Sequence, residues 1–319
     1  MSGKILVTGA AGFIGRALCA RFAETGVRHV AAVRAPPFGD AGRVHYVALG
    51  DFAAADWHEV LDEVETVVHL AGLAHVSGRD AEAPTPFIVA NVHVTRRLAD
   101  AAARAGVRRI VLASTVKVYG ETSPPGKPFR AGDPLAPRDA YAHSKAEAEN
   151  VLREIAAARG MEAVVLRLPL TYGPGVKGNF RTLLESVASG RRLPLGGIAN
   201  RRSLLFVGNA VSAIEAALVK PGLSGDALPI ADPESVSTPE LIAKLARALG
   251  LEPRLLALPG PFLRGAATMI GRSGYAMRLM DSLEVDALRF RGLTGWTPRY
   301  SLDQGLAATA AWWRTQRPR

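Results

Sequence analysis

The stretch Lys4-Ile5-Leu6-Val7-Thr8-Gly9-Ala10-Ala11-Gly12-Phe13-Ile14-Gly15 decides the fold. Its first five residues read as a short strand, and the segment 12–24 reads as a helix that begins at once. Glycine is required where the chain turns tightly, where backbone must approach a pyrophosphate, and where the helix packs on the strand. The helix N-terminus offers unpaired N–H groups and a partial positive charge to phosphates. The spacing is G-x-x-G-x-x-G, placed between a first strand and a first helix. It predicts a dinucleotide-binding loop, with Gly9, Gly12, Phe13, Ile14 and Gly15 as cofactor contacts.

Further strands are expected over 29–34, 43–48, 66–71, 109–114 and 163–168, with helices over 53–60, 86–105 and 140–159. Strands separated by helices of this length give parallel pairing with both faces covered. Val67-Val68-His69-Leu70-Ala71, apolar nearly throughout, suits a central strand. After Leu168 the rhythm breaks at Pro169, Gly173, Pro174, Gly175 and Gly178, and an amphipathic helix over 296–314 closes the chain. The expected architecture is α/β: a doubly wound parallel sheet in residues 1–168 plus roughly 203–230. A smaller α/β lobe for substrate comprises 169–202 and 231–319.

Composition narrows the function classes. Thirty-nine Lys and Arg against 29 Asp and Glu give a formal charge of +10, but the basic residues are dispersed, without a block or interleaved aromatics. That excludes a nucleic-acid-binding design and leaves room for a phosphate-bearing ligand. The lone Cys19, in an apolar helical run, reads as a core residue of a protein in a reducing, cytoplasmic setting. No signal segment is evident, and the most apolar region, 255–280, is cut by Pro259, Pro261, Arg264, Arg272 and Arg278, so no membrane insertion is expected. No metal site is expected.

Two positions bear on cofactor choice. The second strand ends in Val33-Arg34-Ala35 with no acid for a ribose 2′-hydroxyl, and Arg34, with Arg16 nearby, can pair with a 2′-phosphate. This favours NADP, with NAD the other candidate. Asp51, after the third strand, is placed to meet the adenine amino group. Chemistry is carried by Tyr141 and Lys145, four apart on one helix face. A phenol titrates near 10, and a neighbouring ammonium favours the phenolate. Ser114 and Thr115 end the fifth strand as hydroxyls able to hold a substrate oxygen, and Asn91 can brace the site's backbone. Together these form a hydride-transfer site: Thr115 and Ser114 orient, Tyr141 moves the proton, and Lys145 tunes it.

Gly9/Gly12/Gly15, Val67 to Gly72, Asn91 to Thr95, Ser114-Thr115 with Val118-Tyr119-Gly120, Tyr141 with Lys145, and Leu166-Arg167 with Tyr172-Gly173-Pro174-Gly175 follow in order. In this the whole chain resembles the extended short-chain dehydrogenases of Rossmann type, and among them the sugar-nucleotide epimerase, dehydratase and reductase group. The resemblance implies cofactor contacts at Leu70, Ala71, Gly72, Asn91, Tyr141 and Lys145. It implies substrate contacts at Thr115, at Asn179 for the nucleotide, and at Arg202 for a diphosphate. It also implies a homodimer built on helices 86–105 and 140–159. Dehydratases of the group carry an Asp-Glu pair where this chain has Val116-Lys117, and UDP-galactose 4-epimerases carry an acid after the second strand, a lysine at Ala74 and an asparagine at Leu170. The expectation is therefore a UDP-4-keto-sugar reductase using NADPH, acting at C4 of a UDP-hexose or UDP-hexosamine. The alternative is a UDP-sugar 4-epimerase with tightly held NAD, and a more distant one a non-catalytic NADP-binding scaffold.

Overall fold

The architecture is that of a computed structural model, which describes residues 3–36, 44–74, 83–260, 262–263, 265 and 279–316. Seven parallel strands form the main sheet: β1 (Lys4–Thr8), β2 (His29–Val33), β3 (Tyr46–Ala48), β4 (Val64–His69), β5 (Arg109–Thr115), β6 (Glu162–Leu168) and β9 (Ala227–Pro229). Their order is β3-β2-β1-β4-β5-β6-β9, so the winding reverses between β1 and β4, and a sheet of this kind has its crevice at that reversal, at the strands' C-terminal ends. Every residue of β4 except Glu65 is buried, as its doubly covered place demands. On one face pack α1 (Phe13–Thr25) and α6 (Val207–Val219). On the other lie α3 (Val94–Arg104) and α4 (Ala140–Arg159).

Beyond β6 the chain builds a second sheet of three strands, in the order β10-β8-β7: β7 (Leu170–Tyr172), β8 (Arg202–Phe206) and β10 (Ser235–Val236). It has its own core with α5 (Gly178–Ala188), α7 (Thr238–Ala248) and the terminal helix Leu302–Thr315. The strand and helix expectations hold along most of the chain, with three differences. Residues 53–60 form turns and one 3₁₀ turn (Glu59–Leu61), because the Asp51 and Asp56 carboxylates accept the N–H groups of Ala53 and His58 and divert them from a helix. The helix expected over 86–105 starts at Pro84 and passes through a π-helical turn at Ile88–His93. The last helix starts only at Leu302, where Ser301 and Gln304 form a capping box. Residue 43 of the third expected strand and most of 261–278 in the apolar stretch lie outside the described residues. Among those described, no helix is long and apolar enough to cross a membrane.

Candidate active site

The glycine loop sits at the crevice. Gly9 adopts φ +69°, and a Cβ there would lie 2.6 Å from the Ala71 nitrogen. At Gly15 a Cβ would lie 2.2 Å from the Gly9 carbonyl oxygen. Side chains are thus excluded by the 70–72 turn on one side and by the loop itself on the other. Helix α1 begins without a side-chain cap or an acid in its first turn, leaving its first N–H groups to a ligand. This is a cradle that fits a dinucleotide pyrophosphate. Arg34 is exposed one residue beyond β2, and its carbonyl accepts the Gly50 N–H at 3.1 Å, which brings Asp51 to the same rim. Asp51 is exposed there, and Arg16 turns its Nε to the Ala11 carbonyl, 2.8 Å away.

Helix α4 carries Tyr141 and Lys145. Asp139 caps it, accepting the Ala142 N–H at 2.7 Å, and Gly160 ends it in the left-handed region. Lys117 forms ion pairs with that capping carboxylate and with Glu121, and so ties the turn after β5 to the start of α4. Burial pushes the Tyr141 phenol up to about 12; Thr115, hydrogen-bonded to it, draws it back in part, and Asp139 adds to the rise. Burial pulls the Lys145 ammonium down to about 8, against an opposing pull from Glu149. Desolvation dominates both groups, and a lysine near 8 is a weaker charge at neutral pH than a solvated one.

The two hydroxyls at the end of β5 have different partners. Thr115 meets Tyr141 and accepts the Lys117 N–H at 3.3 Å. Ser114 points the other way, donating to Glu149 Oε1 at 2.5 Å. Glu149, fully buried, is gripped by Arg167 through Nε at 3.1 Å and a second nitrogen at 2.6 Å, and by Arg153 at 3.1 Å. Arg167 in turn lies 4.6 Å from the centre of the Tyr119 ring. Sequence reasoning missed Glu149 and Arg167. The signal was present, since Glu149 follows Lys145 by the same four residues that separate Lys145 from Tyr141. Asn91, on the π turn, clamps Leu73: its Oδ1 accepts the Leu73 N–H at 2.8 Å and its Nδ2 donates to the Leu73 carbonyl at 3.0 Å. The turn 70–73 therefore runs between the glycine loop and α4, with Gly72 close against Asn91 and Lys145.

In the smaller lobe Asn179 lies partly exposed in the first turn of α5. Arg202 opens β8, and its guanidinium donates to the Asp281 carbonyl at 2.8 Å. Among the described residues no group of three or more His, Cys, Asp or Glu side chains could hold a metal ion.

Comparison with known proteins agrees with this geometry. Residues 5–231 match the model of the NAD dependent epimerase/dehydratase family. The chain is 35% identical to a UDP-glucose 4-epimerase of Vibrio cholerae, over 97% of this chain and 95% of the relative. It is 31% identical to a dTDP-glucose 4,6-dehydratase of Streptomyces griseus, over 99% and 96%. The structure of MoeE5 in complex with UDP-glucuronic acid and NAD superposes with a TM-score of 0.80 at 27% identity, covering 99% of this chain and all of that one. The chain is thus an enzyme of the extended short-chain dehydrogenase type and belongs to the NAD dependent epimerase/dehydratase family.

Proposed function

We propose that this enzyme is a NAD-dependent 4-epimerase of a UDP-activated sugar. The observation that carries the reading is the placement of Thr115 against Tyr141, with Lys145 one turn on, beside the crevice, and with Val116-Lys117 where an elimination chemistry would need acids. The relatives support epimerisation over the 4-keto reduction favoured on sequence: one is a UDP-glucose 4-epimerase, and the MoeE5 structure holds NAD. They support NAD over NADP in the same way, and Arg34, exposed at the strand end, then covers the adenine side without a 2′-phosphate.

NAD, when bound, supplies a reversible hydride acceptor and a positive charge that favours the Tyr141 phenolate. The residues proposed to hold it are Gly9, Gly12, Phe13, Ile14, Gly15, Asp51, Leu70, Ala71, Gly72 and Asn91. Tyr141 takes the proton of the sugar C4 hydroxyl and later returns it, Thr115 fixes that oxygen, and Lys145 keeps positive charge beside the phenol. Ser114, held by Glu149, serves by fixing the end of β5. Asn179 and Arg202 of the smaller lobe are assigned to the nucleotide and its diphosphate, for which an arginine fork is suited. In this reading residues 1–168 with roughly 203–230 carry cofactor and the remainder carries substrate. Two copies pair through the outer faces of α3 and α4, which a dimer mass in light scattering would support and a monomer mass would refute.

The test is direct. The purified protein is denatured and its dinucleotide identified, and the native form is mixed with UDP-glucose or UDP-glucuronic acid. Retained NAD and interconversion of 4-epimers support the proposal. Negligible bound NAD, with NADPH consumed on a UDP-4-keto sugar, would return the reading to the reductase.

A further inference from the structure

Thr8 and His69 are register partners at the ends of β1 and β4, at the point where the sheet's winding reverses. His69 is 1% exposed, and both of its ring nitrogens have partners: Nδ1 lies 2.7 Å from Thr8 Oγ1, and Nε2 lies 3.0 Å from Thr95 Oγ1. The hydroxyl protons decide which nitrogen carries the hydrogen. Thr95 donates its single proton to the Asn91 carbonyl at 2.5 Å, so it can only accept from the ring, and Nε2 is protonated. Thr8 accepts the Ala71 N–H at 3.3 Å, which leaves its own proton for the bare Nδ1. One assignment satisfies every group. From Asn91 the chain of bonds goes on: Nδ2 donates to Ser144 Oγ at 2.8 Å, and Ser144 donates to the Tyr141 carbonyl at 2.8 Å. The Thr95 hydroxyl also occupies the Asn91 carbonyl inside the π turn, and that turn aims the Asn91 side chain at Leu73 and Ser144.

We propose that His69 is a positioning residue of the reaction. Through Thr8 it holds the start of the glycine loop, and through Thr95 and Asn91 it holds the helix that carries Tyr141 and Lys145, so that cofactor and proton donor share one frame. A ring with a second proton would have two donors, so the Thr8 bond would reverse and the Thr8 proton would lose its acceptor. Burial, aided by the Lys145 charge, pushes the imidazole down to about 3 and keeps it in the single-proton form. An apolar side chain of similar size would fill the space but strand two buried hydroxyls.

The inference rests on the proposed epimerase reading, and its test separates the two. The full-length protein is compared with His69→Leu and His69→Gln by NAD titration, by kcat and KM on a UDP-sugar, and by thermal unfolding. Misplacing a catalytic frame by a fraction of an ångström is expected to lower kcat about tenfold or more in His69→Leu, with KM for the sugar nearly unchanged. NAD affinity should fall with it. His69→Gln, whose amide can offer N–H to Thr95 and a carbonyl to Thr8, should recover most of the loss. A folded His69→Leu enzyme with wild-type kcat and NAD affinity would overturn the proposal, as would a glutamine variant no better than leucine.

If His69→Leu does not fold, Thr8→Val, Thr95→Val and their double variant give the same answer. Losses coupled through His69 mean that the double variant is little worse than the poorer single one, whereas independent multiplication of the two losses would overturn it. A wild type that binds NAD but turns over no UDP-sugar sinks the epimerase reading. NAD affinity in the same variants then still decides whether His69 holds the loop.

Discussion

The crevice end of the large sheet and the smaller lobe both hold buried polar groups, but they do so with different parts. At the crevice the groups sit on regular elements and bond one another mainly side chain to side chain: Thr8, His69, Thr95, Asn91 and Ser144 in one network, and Ser114, Glu149 and Arg167 in another. In the smaller lobe side chains stitch irregular chain together. The Nδ2 of Asn200 donates to Thr238 Oγ1 and to the carbonyls of Leu279 and Asp281, while its Oδ1 accepts the Thr238 N–H. Asp232 accepts the Phe206 N–H and an Asn209 amide hydrogen at the start of α6. One region is a frame of side chains bonded to one another, and the other is a lobe in which side chains tie down backbone. Substitutions should therefore separate them, with the hydride chemistry failing at the crevice frame and NAD binding surviving loss of the lobe's structural ties.

The largest expected effect is at Tyr141. Tyr141→Phe removes the proton donor from a frame that remains intact, and kcat should fall by roughly 10²–10⁴ with NAD binding retained. A variant that lost both would mean that Tyr141 serves the fold rather than the chemistry. Next is Glu149→Gln, which leaves the Arg167 guanidinium buried without its counter-charge. Denaturant unfolding should show a loss of about 3–5 kcal/mol, and a loss near zero would mean that the remaining amide oxygen and the Tyr119 ring suffice to hold Arg167. On the other side of the comparison, Asn200→Ala strands several buried partners and should cost about 1–3 kcal/mol. NAD affinity should be untouched, and a parallel loss of it would show that the two regions are coupled more tightly than their separate cores imply.

The smallest effect per step is read in the acid limb of stability, one pH unit at a time. The folded chain holds His69 near 3, below its ordinary value of 6.5, so as pH falls below that value the unfolded chain takes up a proton that the folded chain refuses. The stabilisation is complete above about pH 6.5 and is lost toward pH 3, at up to about 1.4 kcal/mol per pH unit. His69→Gln should flatten that slope in chemical unfolding measured across this window; an unchanged slope would place the acid sensitivity elsewhere.

The same contrast explains what was legible in the sequence. The glycine loop, the doubly wound sheet, and the Thr115, Tyr141 and Lys145 positions could be read because strand and helix periodicity places such residues in space. The division of labour between Ser114 and Thr115 could be read only in part, because alternation along a strand separates the two faces but does not name the partner on each. His69 stood in plain view as a strand residue, yet its function depends on Thr95, 26 positions on, and on which hydroxyl has a proton to give. The break at 53–60 was missed because Asp51 and Asp56 compete for backbone donors that an alanine-rich run would otherwise use. In the smaller lobe the ties of Asn200 to residues 279–281 span about eighty positions, and no local pattern signals them. Arg34 does not decide the cofactor by itself, since an arginine at that strand end can pair with a 2′-phosphate or simply stand exposed.

Epimerisation as proposed moves hydride from C4 of the sugar to the cofactor and back to C4 of the same sugar. A UDP-sugar carrying deuterium at C4 is incubated with the purified enzyme, and the 4-epimer is isolated and weighed by mass spectrometry. The account predicts full retention of deuterium in the epimer with no consumption of added NADPH. Loss of the label from the sugar to cofactor free in solution, or hydrogen drawn from added NADPH into the product, would contradict it.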